Sequence, residues 1–282
     1  MDSSICQQKK PDWLKAKAPQ GKVFLETQQL VRAHSVNTVC QSAQCPNMGE
    51  CWSRKTATLM ILGKICTRNC SFCGIQKGHP LTPDPTEPEK VAASILNMEL
   101  QHAVVTSVTR DDLIDGGASI WALTIRAIRK HNPHTTIEVL VPDFRGNKDH
   151  LQLILAEKPE IFNHNLEVVE RLQQPIRKTA RYDCSLAVLQ QASDYGLVTK
   201  SGLMLGLGET LEEIRKTIQD LRAVGCQMLT LGQYLQPSKQ HHPVVRWVPP
   251  TEFNELKTFA LSQGFRSVQS GPLVRSSYLA RV

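Results

Sequence analysis

Six of the nine cysteines in this 282-residue chain fall into two groups of three. Cys66, Cys70 and Cys73 lie in KICTRNCSFCG, with three and then two residues between them, just after a β-branched apolar run. Cys40, Cys45 and Cys51 lie upstream in CQSAQCPNMGECW, at gaps of four and five. Odd numbers of clustered thiols suit neither a disulfide framework nor a closed structural zinc site, which takes four ligands. Near the downstream trio only His79 offers a weak fourth ligand. Three thiolates on a [4Fe–4S] cube leave one iron open, and an open iron can bind a substrate or cofactor directly. Pro46 and Gly49 would let the upstream loop fold around a second cluster. Cys6, Cys184 and Cys226 stand alone and read as small buried apolar side chains.

Composition fits that reading. No apolar run approaches the roughly 20 residues needed to cross a bilayer, and the N-terminus lacks the apolar core of a secretory signal. A reducing location is expected, cytoplasmic or an organelle stroma or matrix, with no clear transit peptide. There, clustered thiols serve as metal or cluster ligands. The net charge of +7 favours acidic partners. The basic residues are scattered, apart from a denser stretch at 171–181, and aromatic residues make up only 5%, so neither nucleic acid nor membrane is an expected partner.

The elements that must position these thiols alternate regularly. Apolar and β-branched runs at 58–63, 103–108, 136–142, 160–165, 200–206 and 228–235 read as strands, separated by helix-like segments. Leu211, Ile214, Ile218 and Leu221 share one helical face, Thr210 and Glu213 have capping-box spacing, and Gly225 ends the element. Trp121, Ile125 and Ile128 form a second apolar stripe, and Val91, Ile95 and Met98 a third. Six βα units predict an α/β fold, a partial (β/α)6 TIM-type barrel over 57–235. Residues 1–56 form an N-terminal extension carrying the upstream cysteines, and 236–282 a C-terminal extension.

The Cys-x3-Cys-x2-Cys spacing, with Phe72 before its last cysteine, resembles the signature of radical S-adenosylmethionine (SAM) enzymes. Adding the upstream Cys-x4-Cys-x5-Cys and the terminal Arg275-Ser276-Ser277-Tyr278 narrows the resemblance to the lipoyl synthase family. Blocks such as TSVTRDDLIDGGA, FNHNLE, SGLMLGLGET and LTLGQYLQPS look like that family over nearly the whole length.

That resemblance implies two [4Fe–4S] clusters and SAM. Cys66, Cys70 and Cys73 would hold the cluster whose free iron takes SAM. Cys40, Cys45 and Cys51 would hold an auxiliary cluster closed by a serine hydroxyl, with Ser277 favoured over Ser276. The implied reaction inserts sulfur at the sixth and eighth carbons of an octanoyl chain on a lysine, the auxiliary cluster being the sacrificial sulfur donor. Implied partners are an octanoylated carrier (a glycine-cleavage H protein or the lipoyl domain of a 2-oxoacid dehydrogenase), an electron donor such as ferredoxin or flavodoxin, and a cluster-repair carrier. By analogy the cofactor contacts come from Phe72, Ser107, Asn163, Glu167, Gly206 and Arg275. Arg110, Asp111, Asn165 and Gly208 are further candidates at strand ends. His164, His241 and His242 read as polar loop residues.

Overall fold

The computed structural model describes residues 9–16, 20–33, 36–54 and 56–277; Cys6 and Tyr278 lie outside them. Among the described residues there are ten strands: β1 (Asn37–Thr38), β2 (Thr58–Ile61), β3 (Ile65–Cys66), β4 (Gln76–Lys77), β5 (His102–Ser107), β6 (Thr136–Leu140), β7 (Ile161–Asn163), β8 (Val198–Leu205), β9 (Met228–Gln233) and β10 (Ser267–Gly271). All six strands expected from the sequence are present. β10 was not expected, because SVQSG has little strand character of its own. It exists by pairing in parallel with β9 along its whole length, from Ser267 opposite Met228 to Gly271 opposite Gly232, a case of tertiary context overriding propensity.

The chain divides into two units, each with its own core. The first comprises Lys17–Arg68, Ile75–Asn163 and Ser277–Val282. Its strands β2, β5, β6 and β7 pair in parallel in that order, and β1 lies antiparallel on β2. All four residues of β2 are buried, as expected when helices cover both faces of a parallel sheet. The helix Ala118–His131 buries Trp121, Ile125 and Ile128, and the helix Glu87–Asn97 buries Val91 and Ile95. Each such side chain contributes about 1.5–3 kcal/mol. The Glu87 carboxylate accepts the Leu62 backbone N–H at 2.6 Å, tying that helix's start to the end of β2. The register sets Ile61 beside Ser107, Thr106 beside Leu140, and Leu140 beside Asn163, so the strands finish at one level.

The second unit comprises Met1–Ala16, Asn69–Gly74 and His164–Ser276. Its strands β8, β9 and β10 are parallel. The helix Leu211–Ala223 packs Ile214, Ile218 and Leu221 into a core with Leu203, Leu205, Leu229 and Leu231. Its capping box forms as expected, with Glu213 N donating to Thr210 Oγ1 and Thr210 N to Glu213 Oε2. No helix among the described residues is long and apolar enough to cross a membrane.

One buried ion triad anchors the start of the cysteine loop within the first unit. Arg68 donates to Asp111 from Nε (2.7 Å) and Nη2 (3.0 Å), and to Asp143 from Nη1 (2.8 Å) and Nη2 (2.6 Å). The side chains of Arg68 and Asp143 are 5% and 2% exposed. A planar guanidinium can serve two carboxylates edge-on, whereas a lysine ammonium cannot reproduce both forks. Removing the cation strands two carboxylates in low dielectric. Arg68→Ala is therefore expected to cost about 3–5 kcal/mol in urea unfolding of the cluster-free protein, and Arg68→Lys most of that; a loss below about 1 kcal/mol would mean the triad behaves as a surface ion pair.

Candidate functional site

Cys66 ends β3, whose parallel partner β4 brackets the loop: Gly78 N donates to Cys66 O at 3.1 Å. Next to it, Thr67 N and Oγ1 both donate to Thr109 O (3.1 and 2.9 Å), and Asp111 N donates back to Thr67 Oγ1 at 3.0 Å. The Arg68 backbone N–H donates to the Cys66 sulfur at 3.4 Å, the kind of contact that stabilises a thiolate. The triad that fixes the Arg68 side chain thus also fixes the amide aimed at a candidate ligand.

Cys70 and Cys73 belong to the second unit, where the loop is held by its backbone. Ser71 N donates to Ile176 O at 2.9 Å, and His242 N donates to Ser71 O at 2.9 Å. His241 Nε2 stands 3.1 Å from Cys73 O. A carbonyl only accepts, so Nε2 carries the proton, and Nδ1 faces Ser238 Oγ at 2.8 Å. The histidine pair read as polar loop residues thus fastens the cysteine loop. Phe72 packs on the apolar core of its unit.

The upstream trio is built on two short helices of the first unit. Thr38 caps Val39–Ser42, which carries Cys40; Cys45 N donates to Cys40 O at 2.9 Å; Cys51 lies on Met48–Ser53. Behind it Trp52 stacks on Phe24, with centroids 5.5 Å apart, and its carbonyl accepts Thr27 Oγ1 at 2.9 Å. Burial first, then the neighbouring thiolates of Cys40 and Cys45, push the Cys51 thiol up to about 12, with Arg54 acting the other way. Burial likewise raises Cys40, opposed by the Thr58 backbone N–H and the Trp52 side chain. The fold thus gathers one buried and two partly buried thiols on adjoining short helices and the turn between them, a donor set that suits an iron–sulfur cluster. Among the described residues no three His, Cys, Asp or Glu side chains converge on a single metal ion. A cube needs no such convergence, because each thiolate takes a different iron. Cys226 is the opposite case, a thiol alone in the second unit's core, raised to about 12 by burial.

The two adjacent serines have different partners. Ser277 Oγ accepts from Thr58 Oγ1 at 2.7 Å, in the unit that holds Cys40, Cys45 and Cys51. Ser276 Oγ accepts from Asn165 Nδ2 at 2.6 Å, in the other. Before them, Arg275 Nη1 donates to Val274 O at 2.6 Å. A Cβ on Gly232 would collide with that same carbonyl, so glycine there admits the C-terminal segment.

The strand-end candidates fall into two kinds. Some carry buried polar atoms with no protein partner: Ser107 Oγ at the end of β5, Asn163 Oδ1 at the end of β7, and Asn165 Oδ1. Native proteins seldom leave such atoms unsatisfied, and a bound polar ligand is one of the recognised reasons. Asn163 Nδ2 is fixed on Glu138 Oε1 at 2.9 Å, which orients its open oxygen. Glu167 sits at φ 68° and accepts Asn165 Nδ2 at 3.1 Å; burial raises its carboxyl, with Arg177 and Asn165 opposing. A non-glycine residue at positive φ stores strain that functional sites commonly tolerate. In each unit such open acceptors could receive a hydrogen bond from a ligand's ammonium or hydroxyl.

The other kind is engaged within the protein. Asp111 serves Arg68, and Arg110 donates from Nε and Nη2 to Asp112 and from Nη1 to Leu62 O. Gly206, at φ 95°, has Gln233 Nε2 and the Arg246 carbonyl where a Cβ would stand, so its glycine requirement has a packing cause. Thr58, Arg68 and Gly232 are the contributors that sequence reasoning missed. Threonine opening a strand and arginine between two cysteines carry no distinguishing local pattern.

A family model for the radical SAM superfamily matches residues 60–221. The lipoyl synthase of Pelodictyon phaeoclathratiforme is 55% identical over 96% of this chain and 93% of its own length. That of Chlorobaculum tepidum is 53% identical over 96% and 94%, and that of Flavobacterium psychrophilum 52% over 100% and 97%. Among solved structures, methylornithine synthase is similar with a TM-score of 0.57 at 12% identity, over 74% of this chain and 70% of that one. Coproporphyrinogen III oxidase of Escherichia coli follows with a TM-score of 0.53 at 16% identity, over 73% and 52%. At such identities the likeness concerns the fold, the radical SAM partial barrel of parallel strands expected from the six βα units. The chain belongs to the lipoyl synthase family of the radical SAM superfamily, and with that membership come a [4Fe–4S] cluster and SAM.

Proposed function

We propose that this chain converts a protein-bound octanoyl-lysine to a lipoyl group with two [4Fe–4S] clusters, one held by Cys66, Cys70 and Cys73 and the other by Cys40, Cys45, Cys51 and Ser277. The observation that carries the two-cluster reading is that Cys40, Cys45 and Cys51 are gathered on two adjoining short helices and the turn between them, in the unit that also holds the Ser277 hydroxyl. When bound, the first cluster with SAM supplies a 5′-deoxyadenosyl radical, and the auxiliary cluster supplies sulfur. The target carbons have no adjacent activating group, so no side chain acts on them as base or nucleophile.

The chain's own part is holding and orienting. Glu167 and the open oxygens of Asn163 and Ser107 would accept from the ammonium and hydroxyls of SAM. Phe72, seated on its core, would border the cofactor, and Gly206 would hold the backbone at the end of β8 close to it. Arg275 would orient the segment that delivers Ser277. An alcohol oxygen is a harder, less matched iron ligand than thiolate, so the corner closed by Ser277 is the one that opens most readily. We place the barrel core at 57–235, with the auxiliary ligands contributed by the flanking extensions. The octanoylated carrier would be an acidic H protein or lipoyl domain, met by the chain's positive charge. A ferredoxin or flavodoxin would serve as reductant, and a separate carrier would rebuild the spent cluster.

In a single turnover under strong reductant, sulfide should leave the auxiliary cluster in step with the appearance of two sulfurs in product; an unchanged sulfide count after product forms would contradict sulfur donation. Changing Cys66, Cys70 or Cys73 to Ala should abolish SAM cleavage, whereas changing Cys40, Cys45 or Cys51 should leave uncoupled cleavage and no sulfur in product. Identical behaviour of the two sets would overturn the division of roles.

Ser277→Ala should likewise block sulfur insertion and leave SAM cleavage measurable, with Ser276→Ala retaining product. The reverse pattern would assign the ligand to Ser276.

A further inference from the structure

We propose that Thr58 is a positioning residue of the auxiliary site, holding Ser277 with its hydroxyl beside the chain that leads into Cys40. The inference rests on the reading of Ser277 as the fourth ligand. Thr58 opens β2, and the antiparallel pairing sets Thr38 opposite Leu59 and Asn37 opposite Met60. The chain leaving β1 is therefore carried past Thr58 as it enters the helix that bears Cys40. Thr58 Oγ1 donates to Ser277 Oγ at 2.7 Å, across 219 positions of sequence. One residue of β2 thus stands beside the pairing that leads to Cys40 and binds Ser277 with its side chain.

Three properties suit Thr58 to the task. It is 4% exposed, so its hydroxyl has little access to water as an alternative partner. Its β-branch restricts χ1, so the hydroxyl's direction is fixed by the strand. Because Thr58 is the donor, Ser277 keeps its own proton and its remaining lone pair for another interaction. If the Ser277 oxygen takes on negative character, the bond becomes charge-assisted and strengthens. If Ser277 lets go of a metal, the bond still holds the hydroxyl in place. Thr58 would then be what lets a weak ligand leave and return rather than drift away.

The test uses the full chain in a background where Cys66, Cys70 and Cys73 are Ala, so that only the auxiliary site is loaded. The readout is the rate at which a ferrous chelator, bathophenanthroline disulfonate, captures iron. Thr58→Val and Ser277→Ala should each speed capture about tenfold, the scale of one hydrogen bond to a charged group. The double variant should be no faster than either single one, and Thr58→Ser should restore the slow rate. In the cluster-free protein, Thr58→Val should also speed hydrogen exchange of the backbone at 272–277. Fast capture in Ser277→Ala with parental capture in Thr58→Val overturns the role of Thr58. Parental capture in Ser277→Ala overturns the ligand reading instead. Independent, multiplying effects in the double variant contradict coupling through this bond. Urea unfolding of each cluster-free variant identifies any that fail to fold, and Thr58→Ala then replaces Thr58→Val.

Discussion

Gathering three buried or partly buried thiols, Cys40, Cys45 and Cys51, on two short helices and the turn between them is the constraint on which the site depends. Burial above all raises the Cys40 and Cys51 thiols, so without a bound cation both favour the protonated form. A cationic cluster reverses the balance, since each iron–thiolate bond removes a proton and offsets the charge that remains. The surrounding fold must therefore hold the thiols in place before a cluster binds. Trp52 stacked on Phe24 and the Thr27 hydroxyl on the Trp52 carbonyl do this from behind the helix that bears Cys51.

The Cys66 loop solves a related problem differently. Its thiols are only half buried, so rigidity comes from the backbone. Thr67 is fixed by Thr109, Ser71 by Ile176 and His242, and Cys73 by His241. Arg68, gripped by Asp111 and Asp143, prevents the segment between the first two cysteines from turning outward. A loop that must keep one iron accessible gains from this arrangement, because nothing apolar needs to cover it.

Much of the architecture was legible in the sequence because it rests on local signals. β-Branched runs marked six strands, the Thr210 and Glu213 spacing marked a helix start, and apolar stripes marked the buried helix faces. The cysteine trios were legible because thiol spacing is itself the ligand pattern. What escaped notice depends on contacts between distant positions. β10 is a strand only because β9 offers a full row of partners. Asp111 looked like a ligand-facing carboxylate until Arg68 was found between it and Asp143. The partners of Ser276 and Ser277 lie 111 and 219 residues away, beyond any local pattern.

The two-cluster account is tested most directly by the iron and acid-labile sulfide content of chain purified without oxygen and fully reconstituted. Two cubes predict about eight of each per chain, falling to about four when either cysteine trio is replaced. About four of each in the unaltered chain, or zinc without sulfide, would contradict it.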